Sequence, residues 1–137
     1  MAKLYKFEVV TPNRVFYSDE VEMIVFDTEN GEMGVMANHV PMLIANIPCV
    51  LKIERGKDKK YAFISEGFIE VTLQKVTAIV DDAEWADEID LEEAIKNKKD
   101  LEDKLYNSKQ DQQMRAELKA SIERSARRIK TAETMRQ

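Results

Sequence analysis

Up to Ile89 the apolar residues of this chain recur mostly at every second position; from Asp90 onward they recur every three to four. A period of two marks half-buried strands, and a period of three to four marks amphipathic helices. In the first part, Phe7 and Val9 alternate with Lys6, Glu8 and Val10, which predicts a first strand. Val21, Met23 and Val25 alternate with Glu22, Ile24 and Phe26 and predict a second. Val50-Leu51-Lys52-Ile53-Glu54 predicts a third, turned by Arg55-Gly56-Lys57-Asp58 into Tyr61-Ala62-Phe63-Ile64. Ser65-Glu66-Gly67 leads into Phe68-Ile69-Glu70-Val71, and Leu73-Gln74-Lys75 into Val76-Thr77-Ala78-Ile79-Val80. Gly31-Glu32-Met33-Gly34 reads as a tight turn between strands. Short strands closely spaced by turns predict a sandwich or a flattened barrel. No alternation of strand and helix points to a parallel α/β sheet.

All four glycines and all three prolines lie before Asp90, the last being Gly67. Residues 81–88 form an acidic stretch holding the only tryptophan, Trp85, and read as a linker. Asp90-Leu91-Glu92-Glu93 then has the form of a capping box, an N-cap acceptor with Glu three residues on. Leu91, Ile95, Leu101 and Leu105 carry one helix, with Lys98 interrupting its stripe. Residues 106–111 are polar and break the pattern. A second helix is predicted from about Gln112, with Met114, Leu118, Ile122, Ala126 and Ile129 on one face. Two helices joined by a short polar loop form an antiparallel hairpin. Stripes this thin bury little surface at about 25 cal/mol per Å², set against chain entropy. The hairpin must lean on the strand domain, on a partner, or on each in turn.

With 137 residues and 34% charged side chains, the chain has the size of one small domain plus an extension. It has no run of about 18 apolar residues, and Met1-Ala2-Lys3-Leu4-Tyr5 resembles neither a secretory signal nor a transit peptide. The expectation is a protein that stays where it is made and does not insert into a membrane. Net charge is −5, unevenly placed: residues 1–89 hold nine Lys/Arg against sixteen Asp/Glu, a balance of −7, and residues 90–137 twelve against ten, a balance of +2. The acidic first part repels nucleic acid, and none is expected as a partner. One His (His39) and one Cys (Cys49) leave no nucleophile triad and no His/Cys metal site. Cys49, in Ile47-Pro48-Cys49-Val50-Leu51, reads as an inert packed thiol. Residues 31–34 lack the longer glycine pattern and Lys-Ser/Thr of a phosphate loop. The residues thus describe a chain that binds rather than catalyses.

One stretch is more specific. Gly31-Glu32-Met33-Gly34-Val35-Met36-Ala37-Asn38-His39-Val40-Pro41-Met42-Leu43 resembles the signature loop of the epsilon subunit of F-type ATP synthases. Val9-Val10-Thr11-Pro12 with Val21-Glu22-Met23 resembles that family's opening strands, and Ser65-Glu66-Gly67-Phe68-Ile69-Glu70-Val71 its second signature. Val76-Thr77-Ala78-Ile79 and the Ile89-Asp90 step into a hairpin complete the likeness in the right order. Asn38 stands where the family usually has Gly, and Glu66 where a second Gly is common. Asn tolerates left-handed backbone, so the first of these turns should survive.

The resemblance implies an α+β chain: a ten-stranded β-sandwich over residues 1–84, a linker at 85–89 and a C-terminal antiparallel two-helix hairpin at 90–137. It implies a non-catalytic rotor subunit at the cytoplasmic face of a bacterial membrane, bound to the gamma subunit and to the ring of c subunits. Glu32, His39 and Met42 would then lie at or near the c-ring contact. It further implies a hairpin that either folds on the sandwich or extends into the alpha/beta catalytic head and blocks ATP hydrolysis. Arg124, Arg127, Arg128 and Lys130 would be its docking face for acidic segments of that head. Some family members bind ATP on the folded hairpin, and Glu84, Ile89, Asp90, Ala94, Arg124 and Arg128 match that pattern. Glu93 replaces the expected Arg and Asp100 a further basic position, so the expectation is weak ATP binding or none. Two other readings compete with the rotor subunit: a free-standing ATP-sensing module whose hairpin closes on nucleotide, and an unrelated adaptor with a partner-binding hairpin.

Overall fold

The computed structural model describes residues 3–108 and 111–134. Ten strands come first: β1 (Tyr5–Val10), β2 (Val15–Val21), β3 (Met23–Thr28), β4 (Gly31–Met36), β5 (Met42–Asn46), β6 (Cys49–Arg55), β7 (Asp58–Ile64), β8 (Gly67–Val71), β9 (Lys75–Val80) and β10 (Ala83–Trp85). A 3-10 turn at Ala86–Glu88 leads to helices α1 (Leu91–Asn107) and α2 (Gln112–Thr134). Met1, Ala2, the Lys109-Gln110 part of the interhelical break and the last three residues of the predicted hairpin, 135–137, lie outside the described residues.

The strands form two five-stranded sheets, ordered β2-β1-β9-β8-β5 and β10-β7-β6-β3-β4. Neighbours pair antiparallel except β1 and β9, which run parallel. Alternation aims one side chain in two at the opposite sheet. Phe7, Val9, Ile69, Val76 and Ala78 from the first sheet meet Ile24, Phe26, Leu51 and Ile64 from the second, all fully buried. Each such Phe, Leu or Ile stabilises the fold by roughly 1.5–3 kcal/mol before entropy is counted. Cys49 sits in this core, as its apolar flanks suggest, and accepts a hydrogen bond from the Asp27 N–H at 3.5 Å. Desolvation pushes its thiol up to about 12, against the smaller effect of that bond.

Four predicted details are corrected. The second strand is two, β2 and β3, meeting at Glu22. β2 is an edge strand whose middle faces water, so Ser18-Asp19-Glu20 hid it. The predicted tight turn at residues 31–34 is strand β4; the reversal lies at Glu29-Asn30, and Gly31 follows it with φ +119°. Trp85, expected in a linker, ends strand β10, which pairs with β7 and closes the second sheet. There it stacks on Phe16 and Tyr17 of β2, with ring centroids 4.5 and 5.7 Å away. The expected capping box is only half made. Asp90 Oδ1 accepts from the Glu93 N–H at 3.1 Å, while Glu93 Oε1 accepts from Asn97 instead of reaching back.

The hairpin packs on the outer face of the second sheet, with α2 against β6, β7 and the 3-10 turn. Phe63, which points away from the sandwich core, gathers Ile89, Ala94 and Ala132, with Leu91 and Ile129 at the margin. The start of α1 thus meets the end of α2, as an antiparallel pair requires. At the loop end, Arg115 Nη1 donates to the Leu105 carbonyl at 2.9 Å and to that of Ser108, closing the last turn of α1.

Candidate functional site

Three surfaces matter. The first is the end of the sandwich around residues 36–42. Asn38 adopts φ +65°, the left-handed conformation expected of it. That turn drops His39 between two carbonyls: Nδ1 lies 2.8 Å from Met36 O and Nε2 2.9 Å from Thr72 O. Tyr5 meets the His39 ring edge-on at 5.3 Å and donates from its hydroxyl to Val35 O at 2.6 Å. Burial pushes the Tyr5 hydroxyl well above the ordinary tyrosine range, so it stays a donor. His39 therefore pins this loop to the β8–β9 turn. Met36, Val40 and Met42 are exposed around it, whereas Met33 packs against the core. Met42 pairs with Val71, next to the carbonyl that His39 reaches. Glu32 is not part of this cluster. It is exposed near the other end of β4, about 13 Å from Met36 along an extended strand. There it lines a groove of about 560 Å³ with Met33, Leu43, Ile44 and Ala45.

The second surface is the outer face of the first sheet. Ala45 pairs with Phe68, Phe68 with Ile79, Ile79 with Val10 and Val10 with Val15. Directly paired residues share a face. These five therefore form one apolar row across all five strands of the sheet, facing water. Phe68, Ile79 and Val15 are 51%, 46% and 56% exposed, and Leu43 beside the row 65%. A contiguous apolar patch of this kind marks an interaction site, whereas isolated exposed apolar residues do not. The sequence reading missed it. The available signal was the doublets Val9-Val10, Phe68-Ile69 and Ile79-Val80, apolar at both parities of a strand and so on both faces.

The third surface is the seam between hairpin and sandwich, and the residues matched to the family's nucleotide site meet there. Ile89 and Ala94 are buried, and Asp90 caps α1. Arg128 makes a fork on Glu84: Nε lies 3.0 and 3.3 Å from the two carboxylate oxygens and Nη2 3.0 Å from Oε2. Burial opposes the Arg128 charge, but the Glu84 hydrogen bonds and the charges of Glu84, Glu93 and Asp82 outweigh it and hold its pKa above the ordinary guanidinium value. Arg124 Nε lies 2.8 and 3.1 Å from the oxygens of Glu66. Arg127 reaches Asp27 at 3.4 Å and its own helix's Glu123 at 3.0 Å. Of the four cations proposed as a docking face, only Lys130 is without an ion pair to the sandwich among the described residues. Glu66, one of the departures from the family pattern, is thus a partner of Arg124.

Among the described residues no group of His, Cys, Asp and Glu is arranged to hold a metal ion, and no helix is long and apolar enough to cross a membrane. A sandwich apolar on both faces of one sheet, with a helical pair strapped to the other by ion pairs, is the build of a docking protein whose chemistry is its surface. Known proteins narrow this class. Residues 4–86 match the family model of the ATP synthase Delta/Epsilon chain, beta-sandwich domain. The ATP synthase epsilon chain of Caldanaerobacter subterraneus subsp. tengcongensis is 37% identical over 133 residues, covering 96% of each chain. That of Macrococcus caseolyticus is 44% identical over 104 residues, covering 74% of this chain and 76% of its own. The fold resembles a chain in the structure of the Euglena gracilis mitochondrial ATP synthase OSCP/F1/c-ring, with a TM-score of 0.79 at 23% identity over 98% of this chain and 82% of that one. A chain of the Tetrahymena thermophila mitochondrial ATP synthase central stalk and c-ring gives a TM-score of 0.63 at 12% identity, covering 96% and 98%. The chain belongs to the ATP synthase epsilon-chain family, and is a stalk subunit of that complex without a catalytic centre of its own.

Proposed function

We propose that this subunit ties the gamma subunit to the c-ring at the foot of the central stalk, turning with them, and that its hairpin acts as a movable brake on ATP hydrolysis. The observation that carries the proposal is the exposed apolar row Ala45–Phe68–Ile79–Val10–Val15. Left in water it is costly, at about 25 cal/mol per Å², and a rotor partner that covers it recovers that energy. We assign this face to gamma, and the side formed by the edge strands β4 and β5, from Met36, Val40 and Met42 to Glu32, to the c-ring. His39 shapes the ring-facing loop more than it touches the ring, because its imidazole is held between the Met36 and Thr72 carbonyls. Such a protein is peripheral, held at the cytoplasmic face of a bacterial membrane by its partners.

When undocked, the hairpin would offer Arg124, Arg127, Arg128 and Lys130 to acidic segments of the alpha/beta head. Nucleotide plays little part. Arg124 and Arg128 already hold carboxylates, and Glu93 adds a negative charge beside Arg128. A polyphosphate would have to displace two ion pairs and accept that repulsion. This favours the rotor reading over a free-standing ATP sensor. Single cysteines at Glu32 and Met42 test the placement in the assembled enzyme. Both should crosslink to c-subunit loops; crosslinks confined to the catalytic subunits would refute it.

A further inference from the structure

We infer that an ionic latch fastens the hairpin to the sandwich, that Arg128–Glu84 is the pair that decides docking, and that the hairpin leaves by a bend at residues 89–90. The inference deepens the brake reading by naming what holds the brake off.

Apolar contact between the hairpin and the sandwich is narrow. Among the described residues of the two helices only Ala94, Leu118, Thr131 and Ala132 are buried, and two of these are alanines. Against the sandwich they meet essentially one large side chain, Phe63. The charges are more extensive. Three arginines within five positions of α2 each hold a carboxylate on a different part of the sandwich: Glu66 before β8, Asp27 of β3 and Glu84 of β10. Three anchors set on separate elements fix both the position and the rotation of one helix.

The three pairs are not equivalent. Arg128–Glu84 is a fork in which both side chains are mostly covered, 21% and 26% exposed, whereas Arg124 and Glu66 are 40% and 42% exposed and better screened. Arg127 reaches Asp27 only at 3.4 Å and keeps Glu123 whether or not the hairpin is docked. Among the described residues Arg128 has no ion-pair partner on its own helix. Glu93, on the first turn of α1, is the charge beside it that travels with the hairpin. Undocking therefore costs Arg128 its fork, and leaves Arg127 almost as before.

The place of the bend follows from what is pinned on either side. β10 is held by its pairing with β7, by Trp85 on Phe16, and by Ser65, whose N–H donates to Asp82 O and whose Oγ accepts from the Asp82 N–H. α1 starts at its Asp90 cap. Ile89 and Asp90 are thus all that lies between the 3-10 turn and the helix, with ψ of 125° and 103° in extended backbone.

The test uses the full chain alone, so that it stands or falls apart from rotor assembly and hydrolysis. Spin labels are placed on cysteines at Lys57, in the β6–β7 turn, and Lys104, on α1; buried Cys49 stays unlabelled in the folded protein. The distance distribution then gives the ratio of undocked to docked hairpin. Glu84→Gln should raise that ratio about tenfold, as expected for loss of a charge-assisted fork at a partly covered site. Arg127→Gln should change it less than threefold. With Glu93→Gln made throughout, so that the hairpin carries no like charge near position 128, the swap Glu84→Arg with Arg128→Glu should restore docking. The stacked Trp85 serves as the control that the sandwich stays folded. An unchanged ratio in Glu84→Gln, a swap without rescue, or Arg127→Gln as strong as Glu84→Gln would overturn the inference.

Discussion

At the scale of single residues, two positions decide whether the two signatures can fold at all. Gly67 opens β8 so close to β9 that a Cβ there would sit 2.1 Å from the Ile79 carbonyl oxygen and 2.9 Å from Val80 Cγ1. Backbone cannot yield that far without parting the strands, so Gly67→Ala should destabilise the sandwich by about 3 kcal/mol, at the upper end of overpacking costs. A denaturant midpoint that hardly moves would show that β8 and β9 have more freedom than their spacing implies. Asn38 is the milder case. Its left-handed turn was legible from the residue type, but the two carbonyls it aims His39 at were not, since Thr72 lies 33 positions away from His39. Glu93 divides structure from ligand. Its N–H is capped by Asp90 and its charge favours the charged form of Arg128, both favouring the apo hairpin. Calorimetry with magnesium-ATP should therefore detect weak or no binding by the wild type, and a clear gain in Glu93→Arg. Tight wild-type binding would overturn this reading of Glu93.

At the scale of elements, strands and helices are legible where one period dominates the sequence and hidden at the sheet edges. The central strands β6, β7, β8 and β9 and both helices follow from their apolar spacing to within a few residues. β2, β4, β5 and β10 escaped, and these are the four edge strands of the two sheets. An edge strand hides one flank and part of a face from the core, so its sequence need not alternate. The resemblance alone supplied the count of ten. The same edges bear on where the chain can be cut. Trp85 packs on Phe16 and Tyr17, so a chain ending after Glu88 keeps β10 and its aromatic seam. That truncation should unfold cooperatively with near-UV dichroism of an intact sandwich, and should raise ATP hydrolysis by the reassembled enzyme. Hydrolysis unchanged from the full-length complex would mean that the hairpin does not brake this enzyme.

At the scale of the whole molecule, the sandwich has two working faces and the hairpin covers only one. The second sheet carries the ionic seam; the first carries the apolar row and is open to a partner. This division explains what was readable beforehand. The signature loop was legible because it is a contiguous string, and the hairpin's weak support was legible from its thin stripes. The apolar row and the three ion pairs were not, because each joins residues far apart in sequence through strand register or helix placement. Binding of the full chain to a gamma–c-ring subcomplex, compared between wild type and Phe68→Glu, tests the rotor assignment most directly. A charge at the centre of the row should weaken binding at least a hundredfold, as burial of an unpaired carboxylate in an interface core does, while the isolated subunit keeps its stability because Phe68 points to water. Equal binding by the two proteins, or wild-type binding to the alpha/beta head but not to gamma and the ring, would contradict the assignment.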